Sequence, residues 1–266
     1  MFLADYHLHT SFSPDSEAPM EAMILTAINK GLSEIAITDH VDFDFKHYTA
    51  PDYDAYIPYF NDLKAKYQDK ISIILGAEIG LENNWADNIN DFTSKYSFDF
   101  IIGSSHSTST MDLYFDRLKY FENKSKKQAY STYFEEMLKN INTCNDFNVY
   151  GHLDFISRYG IYEDNSLNYS DYADIIDQCL TSLISKNKGI EINTSGFKYG
   201  INDNYPSVDI IKRYKELGGS IITVGSDSHN PEYVGSHIDA AYQILKNAGY
   251  NYVTTFKDQK PNFVKI

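Results

Sequence analysis

Seven short apolar runs rich in β-branched residues alternate with amphipathic helical patterns along this chain, at residues 2–6, 34–38, 71–76, 98–103, 147–150, 189–193 and 220–225. Between them, residues 19–30, 53–67, 126–144, 171–186, 207–217 and 237–248 carry apolar side chains at three- and four-residue spacings, the period of a one-faced helix. Strand alternating with helix implies parallel strands joined by right-handed crossovers. No linker rich in Pro, Gly or Ser divides the 266 residues, which suit one α/β barrel. The expected architecture is therefore α/β, a TIM-like barrel in a single domain over residues 1–266. The irregular stretches 41–52 and 104–123 read as active-site loops.

Histidines and carboxylates fall on this pattern in one place. His7 and His9 follow the first run, His40 the second, His106 the fourth, His152 the fifth, and Asp227 and His229 the seventh; Glu78 ends the third and Asp15 lies shortly beyond His9. All lie at or near C-terminal strand ends, which in a parallel barrel converge on one face. Residues two apart on a strand share a side, so His7 with His9, and Asp227 with His229, can reach one region. An HxH pair alone carries little weight. Six of the eight histidines share this placement, however, whereas His47 falls in a loop and His237 at a helix start. A glutamate ending an apolar strand, as Glu78 does in GAEIG, is costly to bury without a cation.

Imidazole and carboxylate donors without thiolates suit Zn, Mn or Fe, and nine donors exceed what one tetrahedral ion takes. They would fill two or three divalent sites, a cluster able to activate water and to stabilise charge in phosphoryl transfer. The net charge of −14 would repel a long polyanion, so long nucleic acid is an unlikely partner, and a small phosphate ester fits better. Neither a signal-like start nor a membrane-length apolar stretch occurs, so the expectation is a cytoplasmic protein without membrane association. Cys144 and Cys179 form no CxxC motif and read as bystander thiols. The 23 tyrosines are dispersed and read as cover for the core.

HLHTSFSPD, AITDH, GAEIG, GSSH, GHLD and GSDSH, in this order across almost the whole chain, resemble the motifs of the PHP (polymerase and histidinol phosphatase) family of metal-dependent phosphoesterases. DYHLHTSFSPD, GHLDFISRYG and EINTSG are most similar to its monofunctional members acting on histidinol phosphate. The resemblance implies a distorted seven-stranded (β/α)7 barrel with a trinuclear centre, hydrolysing L-histidinol phosphate in histidine biosynthesis. It also implies that His7, His9, Glu78 and Asp227 hold one ion, that Glu78 bridges to a second bound by His106 and His152, and that Asp15, His40 and His229 take a third. Many relatives carry histidine where this chain has Asp15, and a harder oxygen donor there favours Mn or Fe over Zn. Asp15 and His229 are candidates for protonating the leaving oxygen only if metal does not fully engage them.

Arginine occurs only at 117, 158 and 213. Arg158, six residues past His152, suits bidentate contact with substrate phosphate, as the resemblance also suggests; the alternative is a structural ion pair. Arg117, in the loop after His106, is a candidate second phosphate contact, and Arg213 reads as a solvated helix face. Asp42, Asp44 and Glu82 are candidates for meeting the cationic groups of the substrate. Asp39 and Asn193 are candidates for orienting the ligands, or are ordinary loop polarity. Two other readings remain open: a PHP-type enzyme for another small ester (a nucleotide, an oligonucleotide end or phosphotyrosine), and a metal-binding barrel without catalysis.

Overall fold

The computed structural model describes residues 2–43, 50–108, 111–198 and 204–266; Asp44 and His47 lie outside them. The strands are β1 (Ala4–Leu8), β2 (Glu34–Ile37), β3 (His40–Val41), β4 (Ser72–Gly80), β5 (Phe100–Ser104), β6 (Ser107–Thr108), β7 (Met111–Asp112), β8 (Val149–Tyr150), β9 (Gly189–Asn193), β10 (Ile222–Gly225), β11 (Tyr252–Lys257) and β12 (Lys260–Lys265). The helices are α1 (Met20–Asn29), α2 (Tyr53–Tyr67), α3 (Ala86–Lys95), α4 (Arg117–Phe121), α5 (Lys126–Thr143), α6 (Ile156–Tyr159), α7 (Ala173–Ser185), α8 (Ser195–Lys198), α9 (Val208–Glu216) and α10 (Ile238–Asn247). Among the described residues no helix is long and apolar enough to cross a membrane.

Seven parallel strands run in the order β1-β2-β4-β5-β8-β9-β10, one for each apolar run of the sequence. Strand alternation sorts their side chains into two cores. On β4, Ile73, Leu75, Ala77 and Ile79 pack outward against the helices, while Ile74 joins Ala4, Tyr6, Ala36, Phe100, Ile102, Val149, Ile221 and Phe256 inside the barrel. The helices present matching faces; α1 buries Met20, Met23, Ile24 and Ala27 at spacings of three, one and three.

Between β10 and β1 the barrel closes imperfectly. One parallel bridge, Leu8 to Ser228, joins the C-terminal ends, with the His9 N–H donating to the Ser228 carbonyl at 2.9 Å. Below it the buried Asp5 carboxylate spans the seam, accepting from Ser226 N at 2.8 Å, Ser226 Oγ at 2.5 Å and Gly235 N at 2.7 Å. That seam is the barrel's distortion.

The β11–β12 hairpin was not legible in the sequence. It covers the N-terminal end of the barrel, where Phe256 meets Phe100 at 5.0 Å and its N–H donates to Tyr6 Oη at 2.9 Å. Its turn places Asp258 and Gln259 at φ 49° and 58°, left-handed positions that glycine usually marks. The loop expected over residues 104–123 contains the β6–β7 hairpin and α4.

Candidate metal centre

Backbone irregularities place the donors. A register shift between Asp5 and Leu8 resets the alternation of β1, so that Tyr6 points into the barrel, Leu8 out, and His7 and His9 toward Glu78. The second strand breaks at Thr38 and Asp39 and resumes as β3, which sets His40 directly beside Glu78 on β4. His152 (φ 24°) and Asp227 (φ 53°) hold left-handed backbone, a strained arrangement that aims both side chains inward.

These turns bring all nine predicted donors together. Glu78 is the hub: Oε2 lies 3.1 Å from His7 Nε2, 3.4 Å from His9 Nε2 and 3.0 Å from His40 Nδ1. Its Oε1 lies 3.2 Å from His106 Nε2 and 2.9 Å from His152 Nε2, and accepts from Ser104 Oγ at 2.7 Å. Asp227 Oδ1 sits 3.4 Å from His9 and 3.6 Å from His229, and Asp15 Oδ2 sits 3.0 Å from His229 and 3.5 Å from His40. Among the described residues, four donor sets are compact enough to share an ion: His7–His9–Asp227, Glu78–His106–His152, His9–His40–His229 and His40–Asp42–His106.

The donor set fits metal ions on its own chemistry. His7 Nε2, His9 Nε2 and Glu78 Oε2 are buried without a hydrogen-bond partner, an arrangement that costs free energy unless a cation meets them. Protons cannot substitute throughout. Burial pushes the His7 and His40 imidazoles down, but the carboxylates beside them drive both well above the ordinary value. His106 is likewise disfavoured by burial yet raised to about 10 by Asp42 and Glu78. His9 goes the other way, pushed down by burial and then by His229 and His40. Burial opposes ionisation of Glu78, but the surrounding imidazoles hold its carboxyl well below the usual range. Divalent ions would neutralise the carboxylates and leave the imidazoles neutral.

Asn193 stands beside a ligand imidazole as expected, whereas other supporting groups differ. Asp39 does not touch the His40 ring; it accepts from Thr10 N and Oγ1, Tyr56 Oη and Ser13 Oγ, and Ser13 Oγ is 3.2 Å from His9 Nδ1. Asn193 donates to Glu191 at 3.1 Å and lies 3.5 Å from His7. Asp42 is drawn into the centre, 3.0 Å from His106 Nδ1. Glu191, which sequence reasoning passed over, is fully buried 2.7 Å from His7 Nδ1. Its signal was present: in GIEIN the isoleucines point outward, so Glu191 must face the interior.

A cavity of about 310 Å³ opens over the centre, and Arg158, Lys198, Asp112, Tyr114 and Tyr159 share its lining with the donors. Arg158, on α6, stacks over Phe155 and Tyr159. Arg117 does not line this cavity. Its guanidinium donates to the Tyr159 and Gly160 carbonyls at 2.5 and 2.7 Å, anchoring the end of α6 instead of facing a phosphate at the centre. Arg213 is not simply solvated, since it pairs with Asp177 on α7 and with Glu216. Glu82 accepts from Ser107 and lies outside the cavity lining. His237 stands at the N-terminal boundary of α10 without capping it through its side chain, and stacks on Phe197 outside the cavity lining.

A parallel barrel that gathers six imidazoles and three carboxylates at its C-terminal strand ends belongs to the metal-dependent hydrolase class of α/β barrels. The PHP domain model matches residues 5–195, and the chain belongs to that family. It is 35% identical to the histidinol-phosphatase of Lactococcus lactis over 96% of this chain and 95% of that protein. With a probable histidinol-phosphatase of Clostridium acetobutylicum it shares 34% identity over 91% and 92% of the two chains. The crystal structure of the L. lactis histidinol phosphate phosphatase complexed with zinc, L-histidinol and phosphate superposes with a TM-score of 0.92, at 34% identity and 98% coverage of both chains. A putative histidinol phosphatase from Listeria monocytogenes shares the fold, with a TM-score of 0.79 at 21% identity, covering 89% of this chain and 99% of its own.

Proposed function

We propose that this protein is a histidinol-phosphatase, hydrolysing L-histidinol phosphate to L-histidinol and phosphate in histidine biosynthesis, with its whole chain forming one catalytic unit. The observation that carries the reading is the convergence of five imidazoles on Glu78 beneath a cavity that Arg158 also lines. The extent of the match to relatives that act on this substrate supports it.

Two or three divalent ions (Zn, Mn or Fe) supply water activation near neutral pH and neutralise charge developing on the phosphoryl oxygens. His7, His9, Glu78 and Asp227 would hold one, Glu78 with His106 and His152 a second, and His40, His229 and Asp15 a third. The Arg158 guanidinium, at the cavity wall, takes the phosphate oxygens by charge-assisted hydrogen bonds. Asp15 and His229, paired at 3.0 Å and both lining the cavity, would pass a proton to the leaving oxygen only where an ion does not engage them. A cytoplasmic location follows from the biosynthetic role and agrees with two buried, unpaired cysteines.

The test is kcat/KM for phosphate release by manganese-reconstituted protein on L-histidinol phosphate, a nucleoside monophosphate and phosphotyrosine. A value on the order of 10⁴ M⁻¹s⁻¹ or more for histidinol phosphate, well above the others, is expected. Equal slow rates on all three would retain the phosphoesterase and reject the substrate.

A further inference from the structure

We propose that Glu191 is the positioning residue that fixes the tautomer of His7 and thereby the affinity of the metal centre, an inference that rests on reading the cluster as a metal site. Glu191 stands in the middle of β9 with no accessible surface, and among the described residues no Lys or Arg pairs with it. A carboxylate so placed is retained at a cost unless its partners require it. Those partners are all parts of the centre.

Glu191 Oε1 lies 2.7 Å from His7 Nδ1. A carboxylate offers acceptors, so Nδ1 is the nitrogen that donates, and Nε2, 3.1 Å from Glu78 and 3.8 Å from Asp227, is left as the atom that would bind an ion lying between them. Oε2 accepts from the backbone N–H of His152 at 3.0 Å and from Asn193 Nδ2 at 3.1 Å. Asn193 Oδ1 in turn accepts from Ser195 Oγ at 2.6 Å, and that hydroxyl lies 3.4 Å from Asp227 Oδ2. One side chain thus touches His7 on β1 and the backbone of His152 just past β8, and connects to Asp227, just past β10, through Asn193 and Ser195. The neighbouring backbone makes room for it: a Cβ on Gly225 would come within 2.4 Å of Oε1.

This arrangement separates charge and hydrogen-bond polarity from packing. In Glu191→Gln the amide keeps the volume, but its single oxygen is claimed by the two donors at the Oε2 position. Its NH2 then faces His7 Nδ1, which must accept, and the proton moves to Nε2, the atom needed for metal.

The experiment compares wild type, Glu191→Gln and Glu191→Ala as full-length proteins loaded with manganese or zinc. Ions per chain are measured by mass spectrometry, affinity by competition with a chromophoric chelator, and Tm is taken on metal-free protein. Glu191→Gln is expected to melt near wild type yet bind its weakest retained ion about 10–100-fold less tightly, or lose it; Glu191→Ala does so with a lowered Tm. Wild-type stoichiometry and affinity in Glu191→Gln would overturn the proposal, as would a fall in Tm alone. If wild type itself takes up no metal, the metal-centre reading fails and this inference with it.

Discussion

Five imidazole nitrogens stand within 3.4 Å of the two oxygens of Glu78, more than one carboxylate can satisfy as hydrogen-bond acceptor in good geometry. The two oxygens face different sides, Oε2 toward His7, His9 and His40 and Oε1 toward His106 and His152, so under the proposed reading Glu78 would be shared between ions. Glu78→Ala is therefore expected to lower kcat/KM by at least about 10³-fold, the upper end of losing one preorganised charge stabiliser, with the far-UV circular dichroism of a folded barrel. Activity retained alongside stoichiometric metal would remove Glu78 from the bridging position. Glu78 was legible in the sequence because an acidic residue on an apolar strand is conspicuous. Asp42 was not, because nothing local distinguishes a donor facing His106 from a solvated loop carboxylate.

At the scale of the element, the seam between β1 and β10 is held by the Leu8–Ser228 backbone bridge and, below it, by the Asp5 side chain. Asp5→Ala leaves the Ser226 and Gly235 N–H groups without their acceptor, at about 1–3 kcal/mol for each such group when buried. Ser226 directly precedes Asp227, so loosening the seam is expected also to displace a candidate metal donor. The expected result is a urea midpoint lowered by the equivalent of several kcal/mol on metal-free protein, together with weaker metal uptake. A change below about 1 kcal/mol would show that the Leu8–Ser228 bridge suffices without the carboxylate. The strands themselves were readable from β-branched alternation, β9 to the residue. The shift in β1 and the break between β2 and β3 were not, since bulges are fixed by what the neighbouring strands must accommodate.

Over the whole molecule, catalytic and stabilising ends are separated: the candidate metal donors occupy the C-terminal strand ends, and the β11–β12 hairpin covers the other end. Phe256→Ala removes a ring that packs against Phe100, at a cost of about 3–5 kcal/mol, or roughly 10 °C in Tm for a chain of this size. Turnover per folded molecule should stay within about twofold of wild type at a temperature where both are folded. A large loss of kcat with little change in Tm would mean that the two ends are coupled. The hairpin escaped the sequence reading because β11 is buried over Val253–Phe256, leaving no clean alternation to mark it.

The sequence by itself determined the alternating strands and helices, the donor types and their position at strand ends. These follow from local periodicity and the chemistry of side chains, which neighbours along the chain already specify. Tertiary structure alone decided which donors lie together, that Asp42 and Glu191 join them, that Asp39 acts through Ser13, and that Arg117 anchors α6. Each of those outcomes is a contact between segments tens to hundreds of residues apart, set by barrel closure and bulge placement, which no local pattern encodes.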